Sequence, residues 1–336
     1  MSREHVQGEY FVSLAPHIRA GDTTQKIMRD VLIALVPAGL ASVYYFGLRS
    51  LLLIAVTVAS CVASEYIFQK LTKRPVRIGD LSAVLTGLLL AYNLPPTAPV
   101  WMAIFGAVFS IIIVKECFGG IGSNFMNPAL AGRVMLMASW PALMTDYVAP
   151  TAKAIAHAAG DAAAAATTGA TDAVAYATPL AIIKESGDLT RLPSLMDMFL
   201  GNIGGVLGET CAAALLLGGI YLIVRRVIDW KVPVIYFVST AVFLLVFGVD
   251  AKLLGYELLG GGLFLGAFFM ATDYASSPIN ARGKIIFALG CGLITALIRA
   301  KGGMPEGVSY SILVMNMCAP LIDRLTKTKA YGPQKA

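Results

Sequence analysis

An arginine stands in the middle of an apolar run, MNPALAGRVML (126–136). Ionisable residues in such runs are costly and are functional-site candidates by default. Arg133 has two readings. One is a structural cation that snorkels to an interface. The other is a cation aimed at an anionic ligand, or at an electron-accepting ring as it gains negative charge. Asp273, in MATDYASSP (270–278), is the acidic candidate. It can accept from a ring N–H or hydroxyl, coordinate a cation, or cap a helix. Asn127 and Asn316 read as helix caps or interhelical glue more readily than as ligands. Glu116 and Glu306 read as interfacial charges. The remaining feature is TTGATDAVAYATPLAIIKE (167–185), a Thr-rich polar island holding Asp172, Tyr176 and Thr178.

Several chemistries find no support. His5, His17 and His157 are scattered, and no Ser/His/Asp arrangement accompanies them, so hydrolysis is not expected. No P-loop and no GxGxxG after a strand is present, so the chain lacks a nucleotide-binding module of its own. Cys61, Cys117, Cys211, Cys291 and Cys318 are isolated, which argues against a metal site or a disulfide framework.

The elements that must position these residues are membrane helices. The chain has 336 residues, 57% hydrophobic and 14% charged, too apolar for a soluble domain. Strand alternation is absent, which excludes a barrel. Ten segments approach the length and apolarity of a span: 30–48, 51–69, 81–94, 99–115, 127–144, 204–224, 232–249, 258–272, 284–299 and 307–323. The third and eighth are short and run into Pro or polar clusters, so they read as broken helices. Residues 1–29 hold Arg3, Glu4, Glu9, Asp22, Lys26 and Arg29 with no apolar core, unlike a cleaved signal.

Lys and Arg set the orientation. They cluster before the first span, after the second (Lys70, Lys73, Arg74, Arg77), after the sixth (Arg225, Arg226, Lys231) and after the tenth. A ten-span path puts these on one side, the cytoplasmic one by the positive-inside rule. The net charge of +6 follows from that rule and does not imply nucleic acid. Segment 145–200 then lies outside, and it is richer in Asp and Glu than in Lys and Arg.

The halves echo each other. LTGLLLAYNLPP (85–96) corresponds to LGAFFMATDYASSP (265–278), and KECFGGIG (115–122) to RAKGGMPEG (299–307). Five spans per half make the repeats inverted. The expected fold is therefore all-α, about ten transmembrane helices in two inverted five-helix repeats with broken helices. The parts are a cytoplasmic tail (1–29), a first repeat (30–144), an extracytoplasmic loop (145–203), a second repeat (204–323) and a cytoplasmic tail (324–336). From the residues alone this suits a transporter or channel as well as a component of a redox complex.

Five ordered blocks carry a family resemblance: SLAPHIRAGDTTQKIMRDVLIALVPA (13–38), GDLSAVLTGLLLAYNLPPTAPVW (79–101), KECFGGIGSNFMNPALAGR (115–133), LLGGGLFLGAFFMATDYASSPINARGK (258–284) and IRAKGGMPEGVSYSILVMNMCAPLID (298–323). They resemble the RnfD family, membrane subunits of the Rnf electron-transport complex related to NqrB of the sodium-pumping NADH:quinone reductase. The resemblance covers nearly the whole chain except the variable part of 145–170.

The resemblance implies a flavoprotein of the prokaryotic cytoplasmic (inner) membrane with both termini cytoplasmic. FMN would be attached through its phosphate to a threonine hydroxyl by a flavin transferase acting outside the cytoplasm. The family pattern places that threonine in an Ala-Thr-Pro-Leu run after an Asp. DAVAYATPL (172–180) supplies Asp172 and Thr178, but Ala175 and Tyr176 depart from the small or polar residues expected between them. Thr171, in TGAT (168–171), is the runner-up. It lacks the Asp six residues earlier, where Ala165 stands. Family resemblance also implies a second, non-covalent flavin, riboflavin, in a pocket that Asp273 and neighbouring polar residues could line. The implied function is electron relay in an ion-translocating ferredoxin:NAD+ oxidoreductase coupled to Na+ or H+. Other Rnf subunits would supply the iron–sulfur and nucleotide chemistry. The alternatives are a secondary transporter or small-solute channel without flavin, and a structural scaffold.

Overall fold

The computed structural model describes residues 23–148, 150, 177–185 and 192–327. These residues are helical, with no strand among them. In chain order the helices are α1 (Thr24–Phe46), α2 (Leu48–Leu71), α3 (Ser82–Tyr92), α4 (Val100–Val108), α5 (Pro128–Ser139) and α6 (Pro141–Met144). After the 145–176 stretch come α7 (Pro179–Glu185), α8 (Leu195–Leu200), α9 (Ala212–Val224), α10 (Lys231–Val246), α11 (Leu254–Leu259), α12 (Leu263–Leu265), α13 (Ala281–Lys301) and α14 (Val308–Leu325). α4 continues as a π-helix over Phe109–Glu116, and α12 as one over Gly266–Met270. π-turns inside helices are frequent at functional sites.

A helix stands within each of the ten expected segments. By length and apolarity alone, α1, α2 and α13 can each cross a membrane. Leu40, Leu217, Val224 and Val246 point outward and are more than half exposed. A helical chain apolar on its outside as well as its inside belongs in lipid. Two hydroxyls on α2 bond back along their own turn: Thr57 donates to the Leu53 carbonyl at 2.6 Å and Ser64 to that of Ser60 at 2.6 Å. That satisfies a polar group that lipid would leave stranded.

One core cluster joins both halves of the chain, with Leu35, Tyr92, Leu130, Tyr236, Phe268 and Phe287 in it. α2 packs on α3 and α4, α10 on α13, and α13 on α14. α1 with α9, and α5 with α14, connect the halves.

Two departures from the expected boundaries have a visible cause. α1 begins at Thr24, because the Thr23 hydroxyl accepts from the Lys26 amide at 3.3 Å and caps the helix early. The sixth segment becomes helical only at Ala212. Before it, the Leu207 amide donates to the Leu94 carbonyl at 3.0 Å and the Gly208 amide to that of Tyr92 at 2.9 Å. Residues 207–208 thus satisfy the broken end of α3 instead of extending α9. Irregular backbone inside a bundle needs such partners.

Candidate functional site

Among the described residues, two clusters of buried charge stand at the two ends of α3, around Asn93 and around Ser82. At one end is Arg133, on α5. Asn127 caps this helix, accepting from the Ala129 amide at 3.0 Å, and Pro128 opens it. Arg133 is 3% exposed. Its Nη1 donates to Asn93 Oδ1 at 2.7 Å and to Glu209 Oε1 at 2.8 Å. Its Nη2 donates to Glu306 Oε2. The guanidinium does not snorkel: it bridges the break after α3, the irregular 201–211 stretch and the turn before α14. Its fork of donors suits two carboxylates and an amide at once. Glu306 is therefore an ion-pair partner and not a plain interfacial charge.

Thr178 belongs to the same end. It starts α7: its Oγ1 accepts from the Ala181 amide at 3.3 Å, and its carbonyl accepts from that of Ile182 at 3.0 Å. Thr178, Glu209, Thr210, Gly261 and Glu306 line a small cavity of about 20 Å3. The structure thus brings Thr178 beside the two carboxylates that hold Arg133, although these residues lie far apart in sequence. The other attachment candidate, Thr171, and the neighbouring Asp172 and Tyr176 lie outside the described residues.

α7 is seated by two contacts. Leu180 is buried against the glycine run 260–262. A Cβ on Gly261, whose φ is +66°, would lie 2.9 Å from a Leu180 methyl. Lys184 Nζ donates to the carbonyls of Met304 at 2.6 Å, Ile298 at 3.3 Å and Arg299 at 3.5 Å. Burial pushes Lys184 below the ordinary lysine pKa, with Glu257 opposing and Arg299 adding to the shift. Arg299 itself donates to the Glu257 carbonyl, to Glu257 Oε2 at 3.4 Å and to the Gly260 carbonyl at 3.2 Å.

At the other end, Lys115 takes the place of Arg133. Its Nζ donates to Glu65 Oε2 at 2.8 Å and to Ser82 Oγ at 2.6 Å. Gln69 Nε2 donates to Glu65 Oε1 at 3.1 Å and Glu116 Oε1 at 3.2 Å. Glu116, 2% exposed, is thus a buried member of this network. Beside it opens a cavity of about 600 Å3, with Ser82, Lys115, Asn127, Phe269, Asp273 and Asn316 in its lining. That volume lies within the roughly 300–1,000 Å3 of small-molecule sites. Its polar groups set in apolar walls suit a ring with polar edges, such as a flavin.

Asp273 lies in this second region and does not join Arg133. Its Oδ2 accepts from Ser276 Oγ at 2.8 Å, and its carbonyl accepts from Ser277 Oγ at 2.6 Å. It therefore organises the turn after the second π-helix while lining the cavity. Asn316, with its amide oriented to satisfy both ends, donates to the Ile312 and Ser276 carbonyls and accepts from the Asn127 amide at 3.1 Å. It ties α14, α5 and the 273–278 turn into one wall. Glu65, Glu209, Glu257 and Lys184 were not singled out by sequence reasoning. Glu65 and Glu209 carried a usable signal, since each is an acid in an apolar stretch.

The fold and the two regions define a helical integral membrane protein. It has buried ion clusters at its helix breaks, a hydroxyl presented beside one cluster and a ligand-sized cavity beside the other. Residues 11–332 match the NQR2, RnfD, RnfE family, and the chain belongs to that family. It is 50% identical over 328 residues to a component of the Na(+)-translocating ferredoxin:NAD(+) oxidoreductase complex of Acetobacterium woodii, covering 96% of each chain. It is 40% identical to a component of the proton-translocating ferredoxin:NAD(+) oxidoreductase complex of Clostridium ljungdahlii, covering 97% of each. It is 38% identical to a component of the ion-translocating oxidoreductase complex of Stutzerimonas stutzeri, covering 92% of each.

Proposed function

We propose that the chain is the electron-relay subunit of a membrane-bound, ion-translocating ferredoxin:NAD+ oxidoreductase, the Rnf complex, with FMN esterified to Thr178. The likeness to one component of such complexes along almost the whole chain supports the assignment. The observation that carries the site is the position of Thr178, half-buried at the start of α7 and beside the carboxylates of the Arg133 cluster. When bound, the isoalloxazine ring supplies reversible electron uptake.

The chain's own residues do the rest. Thr178 offers Oγ1 for a phosphoester. The donor must be a flavin nucleotide activated as a phosphoanhydride. The Oγ1–P bond forms, the P–O–P bond breaks, a nucleoside monophosphate leaves and the hydroxyl proton passes to solvent or to the transferase. Arg133 holds a fixed positive charge at that end while Asn93, Glu209 and Glu306 fix its direction. In the 600 Å3 cavity, Asn127, Asn316 and Asp273 would orient a second, non-covalent flavin such as riboflavin. Lys115 would oppose negative charge there.

The wider reading is ten spans in two inverted repeats with broken helices. The π-helices, one in each half, and the packing of α1 on α9 and α5 on α14 support it. In this reading both termini face the cytoplasm of a prokaryotic cell, Thr178 faces outward, and partner subunits and a flavin transferase complete the system. Electron flow is coupled to Na+ or H+. A transporter without flavin is the second reading, and the same 600 Å3 cavity favours it.

In-gel flavin fluorescence on a denaturing gel separates them. The chain is expressed with a flavin transferase, alongside Thr178→Ala and Thr171→Ala. Fluorescence lost only in Thr178→Ala is the expected result. Loss only in Thr171→Ala moves the site. An unmutated chain that stays dark beside a working transferase turns the assignment toward the transporter.

A further inference from the structure

We propose that Lys184 and Leu180 form a latch that controls access to Thr178. In the proposal α7 leaves the bundle for flavin attachment, and the latch sets how often it does so. This deepens the reading of Thr178 as the attachment residue and rests on it.

Space is the first argument. The cavity beside Thr178 holds about 20 Å3, far below the roughly 300 Å3 at which small-molecule sites begin. Neither a flavin nor the working groups of a transferase enters it. The second is the state of the nucleophile. Oγ1 is engaged as the acceptor for the Ala181 amide, and Thr178 is half-buried while Pro179 and Leu180 behind it are buried. A seated α7 holds its hydroxyl against the bundle.

α7 depends on tertiary contacts to stay seated. It is a seven-residue helix, too short to be stable without tertiary contacts. Among its polar contacts to the bundle are those of the Lys184 ammonium, whose three donors match three carbonyls at the end of α13 and the turn after it. Its apolar anchor is Leu180 in the notch left by Gly260 and Gly261. Lys184 and Leu180 are thus two anchors of the segment, beside the packing of α7 on α11, that substitution can release one at a time. The grip also reaches the site's charges: the turn that Lys184 holds carries Glu306, a partner of Arg133. Lys184 is thus a positioning residue, acting on Thr178 through the seating of α7.

The test uses the full chain, purified without flavin in lipid nanodiscs, then given transferase and flavin adenine dinucleotide. The time course of in-gel fluorescence is compared for the unmutated chain, Lys184→Met, Leu180→Ala and Lys184→Arg. Losing charge-assisted bonds of this kind is expected to raise the attachment rate roughly tenfold in Lys184→Met. Leu180→Ala gains similarly, and Lys184→Arg stays near the unmutated rate. Unchanged or slower attachment in both Lys184→Met and Leu180→Ala overturns the latch. If the unmutated chain takes up no flavin, the attachment reading fails by itself. Proteinase K cleavage within 177–185 then reports on the latch: several-fold faster cutting in the two variants sustains it, and equal cutting overturns it.

Discussion

The Arg133 end and the Lys115 end solve one problem in two ways. Each buries a cation beside a helix break and neutralises it with carboxylates from elsewhere in the chain. Arg133 spends its planar fork on three partners in a tightly packed setting. Lys115 is a point charge with two partners on the wall of a cavity of about 600 Å3. Arginine suits fixed multidentate geometry, whereas lysine tolerates a changing neighbour. The first region reads as a rigid frame beside Thr178. The second keeps room for a ligand that comes and goes.

The largest effect should come from emptying the rigid frame. Arg133→Leu leaves Glu209 and Glu306 without their shared counter-charge, and breaking a buried pair costs about 3–5 kcal/mol. A sharply lower thermal midpoint in detergent, with poor accumulation in the membrane, is the expected outcome. Arg133→Lys should recover only part of it, because one ammonium cannot hold Asn93, Glu209 and Glu306 in the same directions. A near-normal midpoint in Arg133→Leu would break the comparison at its strongest point.

Lys115→Met should cost less, about 1–3 kcal/mol. Glu65 keeps its bond from Gln69 and borders a second cavity, of about 180 Å3, that water can fill. The same variant should lose non-covalent flavin on purification, measured by acid extraction, while covalent fluorescence stays. A loss of stability as large as that of Arg133→Leu would mean that both ends are frames.

Much of this contrast was legible in the residues, and the rest was not, for physical reasons. Apolar runs mark where helices stand, because every span must be apolar over most of its length. Arg133 and Asp273 were visible as charges in apolar surroundings. Their separation into two regions was not visible, because periodicity carries no information about which helix breaks face each other. The late start of α9 was hidden for the same reason: residues 207–208 bond the backbone of 92–94, and any side chains could do that. Glu116 and Glu306 look interfacial by position, beside glycine-rich turns. Only the fold shows those turns tucked inward onto Gln69 and Arg133.

Asp273→Asn is a smaller perturbation. An amide keeps an acceptor for Ser276, so the 273–277 turn should persist with a change below about 1 kcal/mol. The charge lining the cavity disappears, so the affinity for added riboflavin, followed by quenching of its fluorescence, should shift several-fold. A stability loss without a change in riboflavin affinity would assign Asp273 to the turn alone.

The smallest expected effects on stability, those of Thr178→Asn and Thr178→Ser, separate the two roles of Thr178. As a cap it accepts from the Ala181 amide, and loss of such a cap costs about 1 kcal/mol. As an attachment point it needs a nucleophilic hydroxyl. Asparagine caps well but has no hydroxyl, while serine has both. Thr178→Asn should therefore keep α7 protected from proteinase K and carry no covalent flavin. Thr178→Ser should keep both properties, and Thr178→Ala should lose flavin and some protection. Protection in Thr178→Asn combined with in-gel fluorescence would place the ester elsewhere. The Arg133 frame would then support a capped helix and nothing more, and the contrast between the two ends would rest on the Lys115 cavity alone.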